Sequence, residues 1–433
     1  MREMKDSGIE WIGIIPKSWN ISRLKYIAKF FNGDRGKNYP SGEDLVDDGI
    51  AFLTSNNIHG IVLDCSQEKS KFITEERYNR LGGAKIQLND IAFCLRGSVG
   101  NCAINKTLTK GTVASSLMII RPIKASSDFI NYVLQTDVCD VQTIKAMNGS
   151  CAANLSAENV SNYYFVEPPI AEQKKIVIFL DSKCSEIDAI SADIQKEIET
   201  LEQYKRSVIT EAVTKGLNPD VEMKDSGAEW IGKIPLNWKL EKGKHLFRQR
   251  NSKGNNISLQ LLSPSQKYGV IPQTLLEKLT TQNVVKTNER ADLGNFKTIH
   301  KGDFCISLRS FQGGFEYSEY EGVVSPAYQV FYKVEPLYNN YYRYLFKENS
   351  FIKKMNSFTM TMRDGKNIAF SDFGGTYIPV PPLDEQEKIA TFLNKKSSEI
   401  DSLVAEKKQQ LEVLDSYKKS LIYEYVTGKK EVV

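Results

Sequence analysis

A chain of 433 residues with 41% hydrophobic and 25% charged residues is too long for one small core and too apolar to remain disordered. Its net charge of +4 at pH 7 permits a polyanionic partner without demanding one, and no stretch approaches the eighteen uninterrupted apolar residues of a membrane span. The opening MREMKDSGIEW has charges but no apolar run behind them to form a signal-peptide core, so the expected compartment is the cytoplasm.

The first element met along the chain is a tryptophan-rich block, MKDSGIEWIGIIPKSW at residues 4–19. It returns as MKDSGAEWIGKIPLNW at 223–238, with twelve of sixteen positions identical. A repeat at this spacing has to be mapped before any motif is interpreted. Residues 20–167 come next, and their counterpart 239–380 shows little similarity to them in its first half. Both segments are expected to form mixed α/β globules. GGAKIQLNDIAFCLRGSVGNCAI and FKTIHKGDFCISLRSFQGGFEYSEYEGVVSPAYQVFYKV alternate apolar and polar residues between Gly- and Asn-rich turns, and SSDFINYVLQTDVCDVQTIKAM has helical spacing.

Each globule ends at a Pro-Pro pair, and the segment beyond that pair is again duplicated. Residues 168–214 and 381–427 match at 23 of 47 positions with an offset of 213, which also pairs Asp90 with Asp303 and Arg96 with Arg309. Proline in a first turn, Glu172-Gln173 behind it and no Gly or Pro before Gly216 predict one long helix. Ile187, Ile194, Leu201 and Val208 recur every seven residues with Ile190, Ile198 and Tyr204 beside them, as in a coiled-coil seam. The second copy keeps Ile400, Leu414 and Leu421 in register, flanked by Leu403, Val404, Leu411 and Tyr417, and places Lys407 where Ile194 stands. Two such helices in one chain are expected to pair antiparallel, as in a fused homodimer. The expected division is 1–167 and 218–380 for the two globules and 168–217 and 381–433 for the helices. The fold class is α+β, a tandem pseudo-two-fold repeat of two globules separated by a helix pair.

A catalytic set does not emerge. The phosphate loop G-x-x-x-x-G-K-[ST] is missing, the carboxylates around Glu222-Met223-Lys224 have the wrong spacing for a nuclease, and neither Pro-Pro pair has the Asn/Asp before it that an amino-methyltransferase uses. Seven scattered cysteines without a C-x-x-C pair and only three histidines give no metal cluster, so no metal is expected. Gly97-Ser98-Val99-Gly100 has the form of a backbone clamp on phosphates, but a hairpin turn explains it more simply.

Polar and cationic residues at expected loop tips remain as candidates for DNA contact. In the first copy they are Arg35, Lys37, Asn38, Asn56, Asn57, His59, Arg96, Ser98 and Asn101. In the second they are Arg248, Arg250, Gln266, Lys267, Tyr268, Arg309, Gln312, Arg363 and Lys366. Arg grips guanine and Asn or Gln grips adenine bidentately, while Lys takes phosphates.

Two divergent globules, paired PP(I/L)xEQxKI openings and EWIGxIPxxW blocks together resemble the specificity subunit of Type I restriction-modification systems, over essentially the whole chain. The resemblance implies two target-recognition domains that each read half of a split double-stranded DNA site. It also implies two modification (methyltransferase) subunits carrying S-adenosylmethionine, restriction subunits using ATP and Mg, and no cofactor or catalysis in this chain. The alternatives are a self-contained methyltransferase or nuclease, and a coiled-coil protein scaffold that does not bind DNA. Trp11, Trp19, Trp230 and Trp238 are expected at the junctions between globule and helix.

Overall fold

A computed structural model of the chain describes residues 2–36, 39–147, 154–254, 259–280, 295–307, 314–358 and 368–432. Two compact units are present, one of Met1–Gln195 with Gln409–Val433 and the other of Lys196–Lys408. Each therefore contains one globule and lengths of both long helices.

In the first unit the strands Ala28–Asn32, Leu117–Pro122, Ile91–Cys94 and Cys102–Ile104 lie side by side in that order, all antiparallel. The second unit repeats the arrangement with Phe247–Arg250, Gln329–Lys333, Phe304–Ile306 and Phe315–Tyr317. The expected apolar–polar alternation fails in the central strands, because both faces of the sheet are covered. Phe93, Met118 and Ile120 face one cluster of buried side chains, and Ala92, Cys94, Leu117 and Ile119 face another. Phe304 and Phe331 divide from Cys305 and Val330 in the same way. The segment expected to be helical before Met147 forms two helices, Ser127–Leu134 and Asp137–Met147, broken at Gln135-Thr136.

The units differ in the layer beyond this sheet. The first has a second four-stranded sheet, Gly111–Val113, Ile50–Leu53, Lys71–Ile73 and Leu45–Val46. The second has two hairpin-like pairs, Leu262–Ser265 with Gly269–Pro272 and Lys297–Ile299 with Gly322–Val324. This is where the two copies share almost no sequence.

The junctions, by contrast, are built alike. Asn20–Arg23 pairs with Tyr164–Glu167 and Lys239–Lys242 with Tyr377–Val380, which carries the chain straight into each long helix, Ile170–Lys215 and Leu383–Val426. Trp19 is fully buried and its Nε1 donates to Glu172 at 2.7 Å; Trp238 does the same to Glu385 at 3.0 Å. The next residue closes the joint from the other side. Gln173 accepts from the Ser126 N–H at 2.9 Å and donates to the Pro168 carbonyl at 2.8 Å, as Gln386 does with Tyr338 and Pro381 at 2.8 and 2.9 Å. Buried polar side chains of this kind need every partner, so Glu-Gln at these positions has no apolar substitute. Trp11 and Trp230 are only half-buried and pack against Tyr164 and Phe351.

The last turns of the second long helix return to the first unit, where Leu421, Ile422 and Val426 enter its core and Arg2 donates to the Gly428 carbonyl at 3.2 Å and pairs with Glu172. Ala212 and Val213 of the first long helix enter the core of the second unit. Pairing is antiparallel within each unit. Phe179 meets Tyr425 and Asp188 meets Lys418 at 2.6 Å in one, and Glu197 meets Lys407 at 2.6 Å and Lys205 meets Asp401 at 2.7 Å in the other. Lys205 and Lys418 stand 213 residues apart, as do Asp188 and Asp401. The two ion pairs are thus one contact made twice with the copies exchanged, as an isologous interface requires.

Between Leu180 and Val208 of the first long helix, Leu180, Cys184, Ile187, Ser191, Ile194, Ile198, Leu201, Lys205 and Val208 are buried or half-buried in steps of four and three, and Lys183 is the one other half-buried residue there. Ile400, Leu411, Leu414 and Leu421 are likewise turned inward, with Val404. Ile190, Tyr204, Leu403 and Tyr417, expected beside the seam, are 50%, 53%, 45% and 55% exposed. The reason is geometric. Positions three and four residues on both lie near a helical stripe, but only the four-residue step from Ile187 and Ile194 faces the partner, which leaves the three-residue step to Ile190 outside.

Candidate nucleic-acid interface

One aspartate in each unit sets the entry to the central strand. Asp90, almost fully buried, accepts from the Gln87 N–H at 2.7 Å and from Arg121, whose Nε and Nη2 lie 2.8 and 2.7 Å away. Asp303 accepts from the His300 N–H at 2.9 Å and from Arg250 at 2.7 and 3.2 Å. The arginine comes from opposite strands in the two units. Arg121 lies on Leu117–Pro122 and stacks over Phe31 at 4.7 Å, whereas Arg250 lies on Phe247–Arg250 and stacks over Tyr332 at 4.4 Å. Arg250 therefore leaves the candidate set, since its guanidinium is spent on Asp303. Sequence reasoning missed this clamp, although the common offset of Asp90 and Asp303 marked it.

Beyond Cys94 the chain reaches Leu95-Arg96 and then turns. Gly97 and Gly100, with φ of 76° and 92°, form the hairpin that joins Ile91–Cys94 to Cys102–Ile104, which accounts for G-x-x-G as a turn. Ser98 and Asn101 are exposed at its tip. Arg96 is half-buried and bridged through its backbone to Asn154, and its Nε is enclosed without a hydrogen-bond partner among the described residues.

A second tip carries Asn56 and His59, both exposed, in the turn after Ile50–Leu53. Asn57 beside them is fully buried. Its Nδ2 donates to the Asp64 carbonyl at 2.8 Å and to Ser70 at 3.1 Å, and its Oδ1 accepts from the Thr54 N–H at 2.8 Å. It holds the turn and presents nothing outward, a correction to its candidacy. Strand Cys102–Ile104 links the tips. It begins directly after Asn101, and Ile104 exchanges backbone hydrogen bonds with Ile61 and Leu63 at 2.9 Å.

In the second unit Gln266, Lys267 and Tyr268 form the tip between Leu262–Ser265 and Gly269–Pro272, with the Lys267 ammonium 5.0 Å from the Tyr268 ring centre. Gly269 has φ of 73°, and a Cβ there would stand 2.6 Å from the Tyr317 carbonyl, so this hairpin sits hard against the sheet. Arg248 is exposed on its strand and Arg35 is exposed in its loop. Lys37, Asn38, Arg309, Gln312, Arg363 and Lys366 lie outside the described residues. Among the described residues no group of three His, Cys, Asp or Glu side chains could hold a metal ion, and no helix is long and apolar enough to cross a membrane.

The surface so described is a set of polar tips on rigid hairpins, suited to hydrogen-bonding the edges of a polar ligand. Comparison with known proteins gives it a context. The family model described as Type I restriction modification DNA specificity domain matches twice, over residues 16–200 and 239–413. Two curated relatives come from Methanocaldococcus jannaschii, each 23% identical. The candidate MjaX specificity subunit of a type I restriction enzyme aligns over 97% of this chain and 96% of its own length, and the type I restriction enzyme MjaVIII specificity subunit over 96% and 94%. A solved chain described under "Structural basis underlying complex assembly and conformational transition of the type I R-M system" is 14% identical, covers 96% of this chain and 99% of itself, and superposes with a TM-score of 0.68.

Proposed function

Because the chain belongs to the Type I restriction-modification DNA specificity family, we propose that it is the non-catalytic reader of a split double-stranded DNA site, each globule taking one half. The observation that carries this reading is the contrast inside each unit. Trp19–Glu172 and Trp238–Glu385, Gln173 and Gln386 repeat bond for bond, while the outer layers share neither strands nor sequence. A scaffold kept constant under two different tips is what two different half-sites ask for. Asn56, His59, Ser98 and Asn101 in one unit and Gln266, Lys267 and Tyr268 in the other are the contacts assigned to bases and phosphates.

The exposed apolar residues of the long helices support a partner bound twice. Ile190 and Leu403, Tyr204 and Tyr417 are duplicates at the common offset, and the first unit presents Ile190 with Tyr417 where the second presents Leu403 with Tyr204. Scattered single apolar residues mean little, but the same two positions left open in both copies fit one surface used by two identical subunits. We assign that surface to the modification subunits. In this reading they bring S-adenosylmethionine, restriction subunits bring ATP and Mg, and the assembly works in the cytoplasm, where the DNA is.

Replacing residues 20–167 by the corresponding segment of a related subunit, and mapping methylated adenines in cells that express it with its partner, tests the reading. One half of the methylated sequence should change and the other should persist. Methylation by this chain alone would instead favour a self-contained enzyme, and the absence of salt-sensitive binding to duplex DNA would favour a protein scaffold.

A further inference from the structure

In the second unit the turn Gly227–Trp230, the helix Asn349–Ser357 and the start of the strand Tyr377–Val380 enclose a groove of about 730 Å³. That lies within the roughly 300–1,000 Å³ of small-molecule sites. One wall is held rigidly: Trp230 Nε1 donates to the Tyr377 carbonyl at 3.2 Å, and its indole takes the edge of Phe351 at 5.5 Å between centres. Two further rings, Tyr377 and Phe358, are 45% and 37% exposed along it. The Lys354 ammonium stands 4.8 Å over Phe358, and Lys353 is exposed and makes no ion pair among the described residues. Glu229 is the one carboxylate among the described lining residues.

The first unit builds the same turn and strand with larger side chains beside them. Where Ala228 stands it has Ile9, packed on the core, and where Gly375 stands it has Asn162, bonded to Arg23 at 3.2 Å and Lys25 at 2.9 Å. Lys145 lies 3.9 Å over the Trp11 ring and pairs with Glu10, so the indole face there already carries a cation. Two side chains are thus cut back in one copy of a duplicated scaffold, and aromatic rings stay exposed beside them.

We propose that this groove binds one free nucleotide per chain, with the base against the exposed rings and the phosphate at Lys353 and Lys354. An aromatic face attracts a planar base, and ammonium groups attract phosphate; a nucleotide is the small ligand that offers both. An acidic peptide would satisfy the lysines and leave the ring faces without a matching partner. Because the first unit lacks the features, the stoichiometry is one, unlike that of any partner which docks on both copies.

The test is equilibrium dialysis of the full-length protein with dAMP, run beside ribose 5-phosphate and a five-residue thymidine strand. We expect one dAMP per chain with a Kd of roughly 10 μM to 1 mM, and ribose 5-phosphate about tenfold weaker for want of a base. The double variant Ala228→Ile, Gly375→Asn transplants the first unit's residues. An added Cβ at Gly375 meets nothing within 4 Å, so the fold tolerates the change while binding is lost. Lys353→Ala with Lys354→Ala, both surface substitutions, should weaken dAMP about tenfold or more. No saturable binding at ~10 mM dAMP, binding indifferent to both variants, or a thymidine strand that displaces dAMP at lower concentration than dAMP itself would each overturn the proposal.

Discussion

Glu316 shows how one residue's burial sets a pH dependence. It is 1% exposed on the strand Phe315–Tyr317, pairs with Lys347, and has one carboxylate oxygen without a hydrogen bond among the described residues. Burial pushes its carboxyl up to about 7, against the pull of Lys347 and Arg343. A raised acid binds its proton more tightly folded than unfolded, so the stability associated with that proton is present below the ordinary carboxylate range and is lost as pH rises toward 7. Glu316→Gln should therefore change little near pH 4 and stabilise on the order of 2 kcal/mol at pH 8, seen as a gap between melting temperatures that widens with pH. A constant gap would mean that the carboxylate is solvated in the folded state. Arg96 is the residue-scale test of DNA contact. Arg96→Ala should weaken specific and random duplexes by similar factors and lower the salt slope by about one unit, as loss of a phosphate contact does. An unchanged slope with a lower melting temperature would make Arg96 a packing residue.

At the scale of elements, Lys407 breaks the apolar row of the seam. Its ammonium reaches Glu197, while the same position in the other copy holds Ile194, and Gln410 stands where Glu197 would repeat. Lys407→Ile removes a partly buried ion pair and extends an apolar row, so a rise in stability of about 1 kcal/mol is expected in denaturant titrations. A fall would show that the pair does more than fill its position. What was legible in the sequence divides along the same line. Trp19, Trp238 and the two Glu-Gln pairs could be found by identity at a fixed offset, because a buried hydrogen bond admits no substitute. Ile190 and Tyr204 were misplaced because an apolar side chain on one flank of a stripe looks the same as one on the other until a partner helix chooses. Asn57 was misplaced because an amide serves a turn and a base edge equally well. Loop tips carry no internal pattern at all, since what constrains them is a ligand and not the fold.

For the whole molecule, duplication matters most through how it is closed. Each compact unit draws segments from both copies, so neither copy contains a complete unit. A protease site placed in the exposed stretch Leu217–Asp220 should be cut without separating the fragments, which we expect to co-elute in gel filtration and to melt together. Separate elution would place the holding force in the covalent link.

The contact between Arg2 and the Gly428 carbonyl gives that link a counterpart. In the first unit a tryptophan block and the end of a long helix meet through a hydrogen bond; in the second they are joined by a few residues of chain, from Gly216 to Glu222. The same joint is thus made by a side-chain hydrogen bond in one unit and by the backbone in the other.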